Sequence, residues 1–297
     1  MTIRFWHTTA WMPPEVFAPL AVACEDAGFE GVLVSDHLVF PDQLDSSYPY
    51  HDDGEPGWVA ATPWIDSWVA IGAMAAVTTR LRFSQNVYVF PLRHPVEVAK
   101  LASSAAAVSG GRVALGAGVG WMKEEFEMLG EDHHTRGART DEGLEVCRKL
   151  WTGEAVSHDG RFYSFPTVTM SPAAPGGSVP VWIGGHSEPA LRRAARNDGW
   201  MGGAYPVDEA DAMLDRLDAA LEAEGRRLGD DGFEVILGLQ TMNPADFRRF
   251  AERGVTGFLA APAMLKGDRS GAPTATVDDR RRAIAAFGET VIAPLNA

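Results

Sequence analysis

Short apolar runs alternate with longer stretches in which apolar positions recur every three or four residues, and this alternation organises the chain. Residues 3–8 read as a strand. After Pro13 and Pro14, the residues Val16, Leu20, Ala23, Cys24 and Ala27 recur at helical spacing and stop at Gly28. Gly31-Val32-Leu33-Val34-Ser35 is the continuous apolar run of a parallel strand buried on both faces, and a helix follows at 65–77 after a long loop. The third strand spans 81–90 with its helix at 96–108. The fourth spans 112–118, followed by a short helical piece at 123–129 and a helix at 140–150. Strands at 179–183, 199–201, 233–239 and 256–260 each precede a helical pattern, at 188–196, 208–224, 244–253 and 277–291.

Eight strands alternating with eight helices is the count of a TIM barrel, whereas a doubly wound sheet normally shows about five to seven strands. The expectation is therefore an α/β fold: one (β/α)8 barrel domain over residues 1–297, with no interdomain linker. Three connections are long: 38–63, the segment after the fourth strand, and 153–178. Long loops at strand C-termini are where barrel enzymes build lids and sites.

The 297 residues, 46% of them hydrophobic, supply a large core and exclude a disulfide- or metal-stapled miniprotein. With 40 acidic against 26 basic residues the net charge is −14, which argues against nucleic acid as a partner, since such affinity comes mostly from Lys and Arg neutralising phosphates. Cys24 and Cys147 each fall inside a helical apolar pattern and read as buried thiols in a reducing compartment. The first residues lack a signal peptide's basic, apolar and small-residue regions. The stretch 64–79 is interrupted by Asp66 and is shorter than the ~20 apolar residues of a membrane span. A cytoplasmic protein without a membrane partner is expected.

In a barrel, polar residues at the C-terminal ends of strands face the site. His37, with Asp36 able to tune or orient its surroundings, is the sharpest candidate, because imidazole exchanges protons near neutral pH; a strand-capping role is its plainer reading. His7 has the same topological position and reads as a pocket-lining residue. Gly184-Gly185-His186-Ser187 precedes a helix, with Ser187 at the N-cap and Pro189 just inside, so its backbone N–H groups suit a phosphate; a tight turn that needs glycine is the alternative. Gly116-Ala117-Gly118-Val119-Gly120-Trp121 lacks the third glycine of a dinucleotide fingerprint, which would stand at Trp121, and neither a phosphate loop nor a serine-nucleophile elbow occurs. These glycines let a flat ring or a phosphate approach the backbone. Trp58, Trp64, Trp68 and Trp121 could stack on such a ring or simply pack. The oxygen-rich segment Asp42, Asp45, His51, Asp52, Asp53 and Glu55 has no metal-site spacing and reads as a solvated lid, as does Glu131-Asp132-His133-His134; no metal is expected.

Taken in order, several segments resemble the bacterial luciferase-like monooxygenase superfamily and, within it, the deazaflavin (coenzyme F420)-dependent oxidoreductases. They include Ala27-Gly28-Phe29-Glu30-Gly31 through Ser35-Asp36-His37, Thr62-Pro63-Trp64-Ile65-Asp66, Leu92-Arg93-His94-Pro95 and Ser109-Gly110-Gly111-Arg112. Gly116-x-Gly118-x-Gly120-Trp121 with Glu124-Glu125-Phe126, Arg136-Gly137-x-Arg139-x-Asp141-Glu142, Val181-Trp182-Ile183-Gly184-Gly185 and Asp198-Gly199-Trp200 extend the likeness over nearly the whole chain.

The resemblance implies a barrel binding a flavin-like ring at its C-terminal mouth. It puts Asn86-Val87 at a third-strand bulge with a non-prolyl cis peptide that backs the ring. It puts Ala117 and Gly118 along the cofactor, and Gly184, Gly185 and His186 at its phosphate. It places His37 against the reactive centre, with His7, Trp64 and Trp121 lining the substrate pocket. Sugar-phosphate dehydrogenases of the family carry a glutamate where this chain has Val119, so any proton transfer is expected to rest on His37 or a lid residue. The implied activity is hydride transfer between coenzyme F420 and a small organic substrate. The alternatives are an FMN-dependent monooxygenase using reduced flavin and oxygen, and a cofactor-binding protein without catalysis. A homodimer is the family's frequent state. Because the deazaflavin is anionic, a basic rim is required, and Arg192, Arg193 and Arg196 are candidates for it.

Overall fold

The computed structural model describes residues 2–50, 53–264 and 275–297. Strand β1 (Phe5–Thr9) leads through a single 3-10 turn into α1 (Phe17–Asp26), and β2 (Gly31–Val34) is followed by α2 (Ser67–Ala75), whose first amides are capped by Asp66. Next come β3 (Arg82–Gln85), β4 (Tyr88–Val89) and α3 (Pro95–Ser109), then β5 (Leu115–Gly118), α4 (Lys123–Met128) and α5 (Arg136–Trp151). A hairpin of β6 (Ala155–Asp159) and β7 (Ser164–Thr169) precedes β8 (Val181–Gly184), α6 (Glu188–Ala195), β9 (Gly199–Tyr205) and α7 (Val207–Glu222). The last units are β10 (Glu234–Leu239), α8 (Pro244–Glu252), β11 (Gly257–Ala260) and α9 (Val277–Phe287).

Nine parallel segments form one sheet in the order β3-β2-β1-β11-β10-β9-β8-β5-β4. Its two edges meet. Phe83 of β3 pairs with Val113, the Phe83 amide donating to the Arg112 carbonyl at 2.8 Å and the Ala114 amide to the Phe83 carbonyl at 2.9 Å. β3 and β4 thus occupy one position of an eight-position (β/α)8 barrel, as the alternation of the sequence predicts. The continuous third strand expected over 81–90 is instead broken at Asn86–Val87, a cis peptide bond. The β6–β7 hairpin is an addition in a segment read as loop. Its residues are mostly exposed, so no buried face imposes a period on them.

Inside the barrel, Trp6, Leu33, Ala114, Trp182, Met201 and Ile236 pack together. Trp6 and Trp182 meet edge to face at 5.3 Å, and the Arg82 guanidinium lies over both while pairing with Glu30 and Glu234 at 3.1 and 3.2 Å. This plug fills the N-terminal end and leaves the C-terminal mouth for chemistry. Cys24 and Cys147 are free and buried, and burial pushes both thiols up. Among the described residues no helix is long and apolar enough to cross a membrane.

The broken third strand is tied back by Asp36, just beyond β2. Its carboxylate takes the Arg93 guanidinium through two contacts of 2.6 and 2.8 Å and the Val89 amide at 2.9 Å, and Arg93 lies 4.3 Å from the Tyr88 ring centroid. Removing one partner of so buried a pair leaves the other charge uncompensated. Asp36→Ala is expected to lower unfolding free energy by about 3–5 kcal/mol, read as a fall in the urea midpoint.

Candidate functional site

Several residues singled out from the sequence lie on barrel strands or just beyond their C-terminal ends: His7 in the middle of β1, His37 after β2, Asn86-Val87 between β3 and β4, Ala117-Gly118 on β5, and Gly184-Gly185-His186 at the end of β8. The Val87 side chain lies across two neighbouring strands. A Cβ at Gly118 or at Gly184 would stand 2.2 Å from one of its methyl groups, so both positions exclude any larger residue while Val87 is there. Val87 is thereby a fixed apolar platform, with glycine backbone beside it.

His37 is paired, and its partner is Glu125 of α4 rather than the neighbouring Asp36. His37 Nδ1 lies 3.1 Å from Glu125 Oε2, and the two side chains are 9% and 1% exposed. Glu125 Oε1 accepts the Leu38 amide at 2.6 Å. A carboxylate is an acceptor only, so this contact puts the hydrogen of a neutral imidazole on Nδ1 and leaves Nε2 with its lone pair. Glu124, next to it, accepts the Asp45 and Ser46 amides at 2.8 and 2.9 Å, and the Lys123 amide donates to Ser46 Oγ at 2.9 Å. One short helix therefore orients the imidazole and anchors the loop that follows it.

Aromatic rings surround His37. Trp64, Trp58 and Trp121 have centroids 4.9, 5.5 and 5.8 Å away. Tyr48 meets Trp121 and Trp58 at 5.1 and 5.3 Å, and Trp11, held at φ 59°, reaches Trp58 at 5.9 Å. The tryptophans read as possible ring-stacking residues form this cage, with the exception of Trp68. That side chain packs on Tyr88 in the core.

At the opposite side of the mouth, Gly185 has φ 117° and its carbonyl accepts the Trp200 indole N–H at 2.8 Å. Ser187 caps α6 by accepting the Ala190 amide at 3.4 Å. The glycine approach, the capped helix start and the adjoining cation make a cradle that fits a phosphate. That cation is Arg216 of α7, which donates to the His186 carbonyl at 2.9 Å and to Glu188 at 2.6 Å. Of the three arginines expected at this rim, Arg192 and Arg193 lie in the last turn of α6 and Arg196 at its C-cap, with Arg193 and Arg196 reaching Asp141 at 2.6 and 4.0 Å. Tyr50 of the lid rests edge-on against His186 at 5.2 Å, so the loop after β2 spans from the imidazole to the helix start. His51 and Asp52 of the acidic loop lie outside the described residues.

His7 is fully enclosed, with its ring edge-on to Phe29 at 5.7 Å and Nε2 accepting the Ala263 amide at 3.2 Å. Burial pushes its pKa down to about 3, against the Thr8 backbone, which raises it, and with the nearby Arg280 cation, which lowers it. The geometry adds Glu125, Tyr48, Trp11 and Arg216 to the site. Glu125 sits in a motif visible in the sequence, but beside a second glutamate of identical local character. The others carry no sequence signal.

A family model described as luciferase-like monooxygenase matches residues 3–281. An uncharacterized protein of Mycobacterium tuberculosis is 37% identical over 296 residues, covering 98% of this chain and 99% of its own. An F420-dependent glucose-6-phosphate dehydrogenase of Nakamurella multipartita is 31% identical over 266 residues, 87% of this chain and 72% of that protein. Among solved structures, a coenzyme F420-dependent tetrahydromethanopterin reductase from Methanopyrus kandleri superposes with TM-score 0.73 at 15% identity, with 100% of both chains covered. A monooxygenase from Streptomyces bottropensis gives 0.72 at 18%, covering 99% of this chain and 100% of its own. At those identities the structural likeness speaks for the fold.

Two outcomes follow from the geometry. Glu125→Ala removes the acceptor of the Leu38 amide, and hydrogen exchange over residues 38–46 is expected to accelerate by about tenfold or more; unchanged protection would show that the loop is held elsewhere. Between about pH 3 and 6.5 the unfolded chain protonates His7 while the native state does not, so stability falls on acidification through that window. The expected contribution is about 1.4 kcal/mol per pH unit, and urea unfolding of His7→Gln should lack that part of the slope.

Proposed function

The chain belongs to the luciferase-like monooxygenase family, and from that premise we propose that it is a coenzyme F420-dependent oxidoreductase moving a hydride between the deazaflavin and a small organic substrate. The observation that carries this reading is the His37–Glu125 pair set in an aromatic cage at the barrel mouth. The 31% identical relative named as F420-dependent supports the choice of cofactor. When bound, the deazaflavin supplies a two-electron hydride donor or acceptor at carbon 5 of its ring.

The chain's own residues do the rest. Val87 backs the ring, and Ala117 and Gly118 lie along it. Gly184, Gly185, His186 and the start of α6 receive the phosphate, with Arg216 beside it. Glu125 holds His37 Nδ1, and Nε2 takes or returns the proton that accompanies the hydride. Trp58, Trp64 and Trp121 keep water from that atom. Val119 stands where sugar-phosphate dehydrogenases resembling this chain carry a glutamate, so the proton step rests on His37.

FMN with oxygen is the second reading, and one observation favours it. The cation at the phosphate cradle, Arg216, is already paired with Glu188, so the long anionic tail of a deazaflavin gains little charge compensation there.

Titration with F420 and with FMN, followed by quenching of the nine tryptophans, separates the two. F420 is expected to bind tightly without oxygen consumption, whereas tight binding of FMN alone with oxygen uptake would replace it. His37→Ala is expected to lower kcat by about 100-fold or more and to leave the cofactor dissociation constant unchanged. Turnover close to that of the parent chain would remove His37 from the proton step.

A further inference from the structure

At the end of the barrel away from the mouth, and independently of what the mouth binds, we propose a second ligand site that takes a neutral polyhydroxylated molecule, a cyclitol or a sugar. A cavity of about 760 Å³ opens beneath the tryptophan plug. Arg4, Glu30, Arg82, Trp182, Asp198 and Glu234 line it, all of them at or next to the N-terminal end of a strand. Its volume falls in the range of small-molecule sites, about 300–1,000 Å³. The N-terminal face of a barrel ordinarily serves stability, and the ion pairs of this floor do so. The hydrogen-bonding capacity that they leave unused points to a ligand.

The charges in the floor are matched to one another. Arg82 Nη1 donates to Glu30 Oε1 and Glu234 Oε1 at 3.1 and 3.2 Å, and Arg4 reaches the same two oxygens at 3.8 and 3.9 Å. Two cations thus alternate with two carboxylates, and a charged ligand finds a counter-charge only by competing with a partner already in place. Asp230 and Asp231, exposed at the lip, repel an anion. A cation drawn to them meets two guanidinium groups inside. The arrangement selects for a ligand without net charge.

Donors and acceptors both remain available. Among the described residues Arg4 makes no hydrogen bond, and Arg82 Nε and Nη2 have no partner. Asp198 Oδ2 accepts the Val181 amide at 2.8 Å, while Asp198 Oδ1 and Glu30 Oε2 accept nothing among those residues. Trp182 is 1% exposed, and its Nε1 is buried with no hydrogen-bond partner. The pyrrole edge of that indole lies at the first residue of β9. A Cβ at Gly199 would stand 2.7 Å from Trp182 Cδ1, the atom bonded to Nε1, so no side chain covers this edge from position 199. A buried N–H without an acceptor is costly, and a ligand oxygen relieves it. A hydroxyl accepts from a guanidinium or indole N–H and donates to a carboxylate through the same oxygen. Several hydroxyls on one carbon skeleton therefore match a floor in which donors and acceptors alternate. The C–H faces of such a molecule pack on the apolar wall supplied by Phe233 and Val255.

myo-Inositol and maltose are the probes, with succinate and putrescine as anionic and cationic controls. Saturation-transfer NMR of each ligand gives its dissociation constant, and hydrogen exchange of the chain locates the contact. At least one polyol is expected to bind saturably, about fivefold or more tighter than either control, and to slow exchange over residues 229–235 while leaving residues 38–46 unchanged. The mouth variant His37→Ala is expected to give the same constant. Arg4→Ala leaves both glutamates on Arg82, so the fold is kept, and polyol binding is expected to weaken by about fivefold or more. Trp182→Phe keeps an aromatic ring, loses the N–H and is expected to weaken binding in the same direction. Absence of saturable binding by both polyols, tighter binding of a charged control, protection confined to residues 38–46, or parental affinity in Arg4→Ala overturns the proposal.

Discussion

Burying a carboxylate costs several kcal/mol unless donors converge on it, and Glu125, 1% exposed, meets that condition through the His37 imidazole and the Leu38 amide. The rest of the mouth depends on this contact. It crosses from α4, the helix that follows β5, to the end of β2, two barrel positions away. The imidazole is held in one tautomer, and the chain leaving β2 is turned into the loop that carries Tyr48 and Tyr50. Glu124 extends the same anchorage by one more turn of that loop. A histidine on a free loop would share the residue type but not the fixed direction of its second nitrogen.

The platform opposite obeys a steric constraint rather than an electrostatic one. Val87 can lie across β5 and β8 only because positions 118 and 184 carry no Cβ. The third barrel position is split at that point, and Asp36 with Arg93 and the Val89 amide recovers the connection that the broken strand loses. His37 and Asp36 are adjacent in sequence yet serve separate jobs: one faces the mouth, and the other secures the wall.

The net charge of −14 acquires a local meaning from this arrangement. Among the described residues, Asp36 is engaged by Arg93 and the Val89 amide, Glu125 by His37 and the Leu38 amide, and Glu124 Oε1 by two loop amides, so the surroundings of His37 are largely aromatic. The helix start proposed to receive the phosphate lies at the other edge of the mouth, where backbone amides can serve an anion within a protein that repels anions overall.

Much of the fold was legible because its local physics is strong. Parallel strands buried on both faces, such as Val32-Leu33-Val34, read as apolar runs, and their helices read by spacing. The glycine segments and His37 were legible as candidates because barrel topology puts strand ends at one face. The β6–β7 hairpin was not, since its exposed residues answer to no core. The break at Asn86–Val87 was hidden within a stretch, residues 81–90, that reads as one continuous strand, and only the family resemblance pointed to it. Glu125 and Glu124 are indistinguishable as neighbours in sequence. What separates them is a contact between residues 37 and 125, 88 positions apart, and periodicity reports only what a residue shares with its near neighbours. The sequence alone determined the alternation that closes the barrel and the residues at its mouth. The tertiary structure decided which charges are paired there, because pairing depends on which distant segments the closed sheet brings within hydrogen-bond reach.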